Sequence, residues 1–290
     1  MRIVHTANEL RGTTTRPARR SGDRPSRAVV MTMGALHEGH LALVRAAREA
    51  ADEVVVSIFV NPLQFEDPDD LDTYPRTLDE DCALLEPLGV DVVFAPSVDE
   101  VYPTGLPVVT VNAGRIGEVF EGAHRPGHLD GVLTVVCKLL HLTQPDLAFF
   151  GQKDAQQLIA VRTMVRDLAM GVDIVAVPTV RDVDGLALSS RNVFLSGEER
   201  ARALILSEAV MAADAAARTG ADLDEALAAG NAALAREPEV EVEYLAALDP
   251  VSAEGLEGDY RGEAVIAVAA RVGETRLIDN VVTRIGRPLG

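Results

Sequence analysis

The 290-residue sequence predicts an α/β fold: a parallel sheet covered by helices on both faces, followed by a smaller α+β domain. Three observations predict it. Short, continuous runs of β-branched and apolar residues alternate with helical stretches as far as residue 177, the pattern of strands buried on both faces. Beyond about residue 196 the composition turns to alanine-rich helix followed by three apolar stretches. With 48% hydrophobic and 25% charged side chains, the length sits between one large domain and two modest ones and excludes disorder or a fibrous repeat.

The amino terminus, Met1-Arg2-Ile3-Val4-His5, has no apolar signal core, and residues 11–27, with six arginines against Asp23, read as an exposed polar loop. Residues 28–33 form the first strand, Gly34 a turn, and 38–51 an apolar-periodic helix. The pattern repeats with a strand at 54–60 ending at Asn61-Pro62, a helix at 77–88 and a strand at 90–94. A helix at 131–142, a strand at 147–150, a helix at 155–168 and a strand at 173–177 complete the sheet. Helices at 197–218 and 222–235, then apolar stretches at 240–248, 264–272 and 275–281, make the second domain. Ligands of such a sheet sit beyond the carboxyl ends of its strands, so the residues after Met33, Val60, Phe150 and Val177 are where chemistry is expected.

The 27 basic residues against 45 acidic ones leave a net charge of -18, the wrong sign for a long nucleic acid partner. Residues 198–260 hold 15 of the acids and four arginines, a solubilising concentration of charge. Lys138 and Lys153 are the only lysines. Cys82 and Cys137 are too few for a disulfide scaffold and read as small buried side chains. No apolar run is long enough to cross a bilayer, so a cytoplasmic protein is expected.

Five segments carry the chemistry. Met33-Gly34-Ala35-Leu36-His37-Glu38-Gly39-His40 places a glycine turn, a helix amino terminus and two imidazoles on one face of the first turn, an anion site with two extra donors. The spacing does not fit zinc, whose protease pattern needs histidines four apart with a third ligand; a structural pair at a helix start is the plain alternative. Gly151-Gln152-Lys153-Asp154-Ala155-Gln156-Gln157 offers a close backbone approach, a mobile cation and, one turn on, Gln157. In a chain so sparing of lysine, Lys153 at a strand end is more than a solvated charge. Val180 to Asn192 is a polar loop whose Ser189, Ser190 and Arg191 suit phosphate oxygens. Asn61 and Gln64 supply neutral donor–acceptor pairs, with turn-making as the alternative, and Glu121 to His128 is the fifth segment.

Together, Met-Gly-Ala-Leu-His-x-Gly-His, Phe-Val-Asn-Pro-x-Gln-Phe, Arg-Pro-Gly-His, Phe-Gly-x-Lys-Asp-x-Gln-Gln and Ser-Ser-Arg-Asn resemble the pantothenate synthetase family, ATP-dependent ligases joining pantoate to β-alanine. The two-histidine motif alone indicates only the nucleotidylyl transferase superfamily. The resemblance implies a Rossmann-like, doubly wound ATP- and pantoate-binding domain over residues 1–180, a smaller lid domain over 181–290, and a homodimer. It places ATP along Met33, Gly34, Ala35, Leu36, His37, Glu38, Gly39 and His40, with His40 the proton-donating catalytic residue. Gly151, Gln152, Lys153, Asp154, Val180, Leu188, Ser189, Ser190 and Arg191 would complete the nucleotide site. Gln64, Gln157 and Asn61 would hold pantoate, Gln64 also β-alanine, and Mg²⁺ would be held mainly by the ATP phosphates rather than by the protein. Gln152, Leu188 and Leu129 stand where the family usually has Glu, Met and Phe.

The implied chemistry runs through a pantoyl adenylate with release of pyrophosphate and then AMP. It needs no protein nucleophile, and charge stabilisation would fall to His37, His40, Lys153, Ser189, Ser190 and Arg191. Within enzymes, a nucleotidylyl transferase that stops at the adenylylated product is the alternative; outside them, a nucleotide sensor that has lost turnover.

Overall fold

The structure is a computed structural model in which residues 1–13, 27–65 and 68–286 are described. In chain order the elements are β1 (Arg2–Val4), α1 (Ala7–Gly12), β2 (Arg27–Thr32), α2 (Glu38–Ala50), β3 (Glu53–Ile58), α3 (Pro68–Thr73), α4 (Leu78–Leu85), β4 (Val92–Phe94), α5 (Val98–Val101), α6 (Glu121–His124), α7 (His128–Thr143), β5 (Leu147–Gly151), α8 (Ala155–Asp167), β6 (Asp173–Val177), α9 (Gly197–Arg218), α10 (Leu223–Leu234), β7 (Val240–Leu248), β8 (Gly262–Val272) and β9 (Thr275–Ile285). They divide into two units: Met1–Gly151 with Ala160–Val177, and Gln152–Ile159 with Pro178–Gly290.

The first unit is built on a six-stranded sheet in the order β1-β4-β3-β2-β5-β6, every pairing parallel. This is the predicted Rossmann-like sheet. Ala28, Val29, Val30, Val54, Val55, Val56 and Val93 are wholly buried, because strands covered on both faces can place an apolar side chain at every position. Each such valine contributes on the order of 1.5–3 kcal/mol of burial. β2 lies between β3 and β5, so successive connections leave it in opposite directions and a crevice opens at its carboxyl end. The β2–β3 register pairs Thr32 with Ile58, which sets the loop starting at Met33 beside the one starting at Phe59.

The second unit folds α9 and α10 onto an antiparallel sheet ordered β7-β8-β9. Its core joins Leu206, Val210 and Leu223 of the helices to Ile266, Val268 and Ile285 of the strands. Both helices begin with a capping box, Ser196 with Glu199 and Asp222 with Glu225.

Several expectations are corrected. β1 and α1 have no counterpart in the sequence reading: three residues of edge strand are too short for a periodic signal, yet Arg2, Ile3 and Val4 pair in register with Val92, Val93 and Phe94. Of the loop expected over 11–27, Arg11 and Gly12 are helical, Arg27 opens β2, and 14–26 lie outside the described residues. Arg27 is 3% exposed, and its guanidinium pairs with Glu53 at 2.7 Å and donates to the Thr143 carbonyl. Cys137 is half-buried, whereas Cys82 is buried. The segment Gln152–Ile159 groups with the second unit, and the Asn280 side chain binds its main chain. No helix among the described residues is long and apolar enough to cross a membrane.

Candidate active site

In the first unit the loop after β2 is shaped by a distant carboxylate. Asp81, in the first turn of α4 and 1% exposed, accepts the main-chain N–H of Leu36 at 2.8 Å and of Ala35 at 3.1 Å. The loop can meet it because Gly34 has φ +87° and Ala35 φ +50°, left-handed conformations. A Cβ on Gly34 would also stand 3.0 Å from Asp81 Oδ2, closer than a carbon and an oxygen settle. Met33, half-buried, is the last residue before this bend.

The bend delivers His37 as the N-cap of α2. His37 Nδ1 accepts the Gly39 N–H at 3.1 Å, and His40 Nδ1 accepts the His37 N–H at 3.3 Å. The two rings lie 4.2 Å apart. Because a main-chain donor occupies each Nδ1, the proton of each neutral imidazole belongs on Nε2. Glu38, between them, turns away: its exposed carboxylate pairs with Arg45, which holds it below the usual carboxylate range.

The loop after β3 is built as tightly. Asn61 is fully buried; its Nδ2 donates to Gln64 Oε1 at 3.0 Å and to the Gly131 carbonyl at 3.1 Å, while its Oδ1 accepts from Leu63 N–H at 3.3 Å and from the Tyr102 hydroxyl at 2.9 Å. Both amide protons and both lone pairs are spent inside the protein, so Asn61, expected against a ligand, reaches one only through Gln64. Gln64, half-buried, gives one lone pair of Oε1 to the bond from Asn61. Its carbonyl faces His128 Nδ1 at 3.0 Å, so the Arg125–His128 segment supports the same turn. Leu129, at the family-variant position, is buried one residue further into α7.

In the second unit, Lys153 precedes α8 and its ammonium stands 3.8 Å from Asp154. Gly151, the last residue of β5, has open space where a Cβ would be, and Gln157 is half-buried in the first turn of α8. Val180 to Leu188 is a tight hairpin rather than an open loop: Leu188 N–H donates to Val180 at 3.0 Å and Asp182 N–H to Leu186 at 2.8 Å. Ser189 follows as N-cap of a short 3-10 turn, its hydroxyl oxygen accepting the Arg191 N–H at 3.3 Å, which leaves the O–H proton free to be given elsewhere. Ser190 is half-buried and Arg191 exposed. Lys153 and Ser189 line one small depression with Asn192 and Asp279. Beneath it Arg181 grips Asp279 through two bonds of 2.6 and 2.8 Å.

Asp81, Tyr102, Gly131, Asp279 and Asn280 are missing from the sequence reading. An aspartate among the acids of a helix start, or a tyrosine in a loop, carries no local mark of a partner forty residues away. Among the described residues no group of three or more His, Cys, Asp and Glu side chains is assembled that could hold a metal ion.

The family model described as Pantoate-beta-alanine ligase matches residues 2–282. A pantothenate synthetase of Thermobifida fusca is 58% identical over 261 residues, 88% of either chain. The crystal structure of pantothenate synthetase from Thermus thermophilus superposes with a TM-score of 0.88 at 49% identity, covering 97% of this chain and 99% of that one. A pantoate-beta-alanine ligase from Francisella tularensis, complexed with Beta-gamma ATP and Beta-alanine, has a TM-score of 0.76 at 33% identity, each chain covered to 97%.

Proposed function

The chain belongs to the pantoate-beta-alanine ligase family, and on that premise we propose that it condenses pantoate with β-alanine through a pantoyl adenylate, with ATP as co-substrate and AMP and pyrophosphate as products. The observation that carries the reading is the ring pair of His37 and His40, each held at Nδ1 by a main-chain N–H at the start of α2, just beyond the carboxyl end of a central strand. The ATP and β-alanine of the Francisella complex support the substrate class.

In the first step the pantoate carboxylate attacks the α-phosphorus and pyrophosphate departs. Negative charge grows on the phosphate oxygens, where preorganised donors stabilise it without reorganisation. His37 and His40 are assigned that role, His40 as the residue giving a proton, with Lys153, Ser189, Ser190 and Arg191 assigned to the phosphates. The main chain of Met33 to His40, Gly151 to Asp154, Val180 and Leu188 is assigned to the nucleotide. Gln64, held through Oε1 by Asn61, is assigned with Gln157 to pantoate and then to β-alanine, whose amine attacks the acyl carbon as AMP leaves.

The side chains assigned to the phosphates carry N–H and O–H donors, which suit phosphate oxygens and not a cation, so Mg²⁺ would enter on the phosphates and be ligated by them and by water. When bound, it neutralises phosphate charge. We assign the working enzyme to the cytoplasm as a homodimer, which sedimentation checks.

Pantoate-dependent exchange between ATP and pyrophosphate tests the reading. His40→Ala and Lys153→Ala are each expected to lower it by about 10²- to 10³-fold in a folded protein. Exchange at the wild-type rate in either variant refutes the assignment of that residue. Release of AMP only when β-alanine is added separates the ligase from an enzyme that stops at the adenylate.

A further inference from the structure

We infer that Asn280 is a positioning residue for the phosphate site: its side-chain amide clamps the carbonyls of Gln152 and Lys153 and thereby aims the main-chain N–H groups of Lys153 and Asp154. This rests on the proposed nucleotide role of that segment.

Asn280 lies in β9 and is 5% exposed. Its Nδ2 donates to the Gln152 carbonyl at 3.0 Å and to the Lys153 carbonyl at 2.7 Å, which uses both amide protons. The orientation of the amide is not arbitrary, since a flipped group would set its oxygen against two carbonyl oxygens.

The clamp itself is anchored. Asn280 N–H donates to Asp279 Oδ1 at 2.7 Å, and its carbonyl accepts from Arg181 at 3.4 Å. Asp279, 3% exposed, takes the two-pronged Arg181 contact, and that guanidinium also reaches Ser207 Oγ at 3.1 Å and the Gly185 carbonyl at 3.0 Å. Fixed donors on a rigid strand therefore hold two consecutive peptide groups of the segment preceding α8.

Those peptides are trans, as there is no cis bond among the described residues. In a trans peptide the N–H points opposite the preceding C=O. With the Gln152 and Lys153 carbonyls turned toward Asn280, the N–H groups of Lys153 and Asp154 point the other way. They stand just ahead of a thirteen-residue helix, whose amino-terminal end favours an anion. Asn280 touches no phosphate in this scheme; it fixes the direction of groups that do.

The test compares wild type with Asn280→Ala, folding being checked by thermal unfolding. Steady-state exchange with ATP and pantoate varied in turn is expected to show KM for ATP raised about tenfold, the effect of losing roughly one or two hydrogen bonds' worth of alignment, with KM for pantoate changed less than twofold. Hydrogen exchange read at the two amides is expected to show ATP protecting Lys153 and Asp154 in wild type and not in Asn280→Ala. A folded Asn280→Ala with wild-type KM for ATP and wild-type protection overturns the inference. If that variant does not fold, Asn280→Gln takes its place, with KM for ATP expected to rise and the ATP protection of the two amides to fall; a folded Asn280→Gln with wild-type KM for ATP and wild-type protection overturns the inference. Absence of pantoate-dependent exchange in wild type instead overturns the ligase reading, a distinct result.

Discussion

The hydroxyl of Tyr102, 2% exposed, donates to Asn61 Oδ1 at 2.9 Å, and through that amide a loop tyrosine determines which way Gln64 faces. Burial pushes the Tyr102 hydroxyl up to about 12 from its usual 10. The folded state thus holds the proton more tightly than the unfolded chain, so the contribution is complete below pH 10 and fades as pH rises toward 12. A rise from 10 to about 12 corresponds to about 2–3 kcal/mol. Urea unfolding of wild type and Tyr102→Phe at pH 9 and pH 11 is expected to show wild type losing more stability across the interval; equal losses would refute the coupling. Near pH 8 the same variant, one hydrogen bond poorer, is expected to be destabilised by about 1 kcal/mol.

Gly131→Ala tests the turn that carries Gln64. A Cβ there would stand 2.1 Å from the Leu63 carbonyl oxygen, so either the 3-10 turn Pro62–Gln64 or the first turns of α7 must move. Because the Gly131 carbonyl also receives Asn61, the displacement reaches Gln64 directly. A loss of about 2–4 kcal/mol in stability and a rise in KM for pantoate that exceeds any rise for ATP are expected. Calorimetry and initial rates check the two halves.

Asp81→Asn addresses the other loop. The carboxylate accepts two N–H groups, from Ala35 and Leu36, whereas a carboxamide can accept at one atom only and turns an NH₂ against the second donor. Hydrogen bonds to a charged group are worth about 1.5–3 kcal/mol each. The variant is expected to lose about that much stability and to lower kcat/KM for ATP by roughly 10- to 100-fold, with KM for pantoate little changed. Unaltered ATP kinetics would mean that the conformation of Ala35 does not depend on Asp81.

Much of this molecule was legible in the sequence. The apolar runs at 28–33, 54–60, 147–150 and 173–177 became β2, β3, β5 and β6, since a strand buried on both faces has few alternatives to continuous apolar residues. Turns and helix starts were legible as well, because they mark themselves locally: Gly34 has a left-handed backbone, and His37 and Ser189 are N-caps. Arg27 was misread for the opposite reason: it borders a run of arginines, and only its ion pair with Glu53 of the neighbouring strand shows that it is buried.

The sequence by itself therefore determined the order of the main strands and helices and the fold class. Only the tertiary structure decided which way the loop residues face. Asp81 under the Ala35–Leu36 peptides, Tyr102 and Gly131 around Asn61, and Asn280 beneath Gln152 and Lys153 are all hydrogen-bond partners remote in the chain. Periodicity and composition report a residue's own preference, whereas a hydrogen bond between distant positions exists only after the sheets have closed the loops between them.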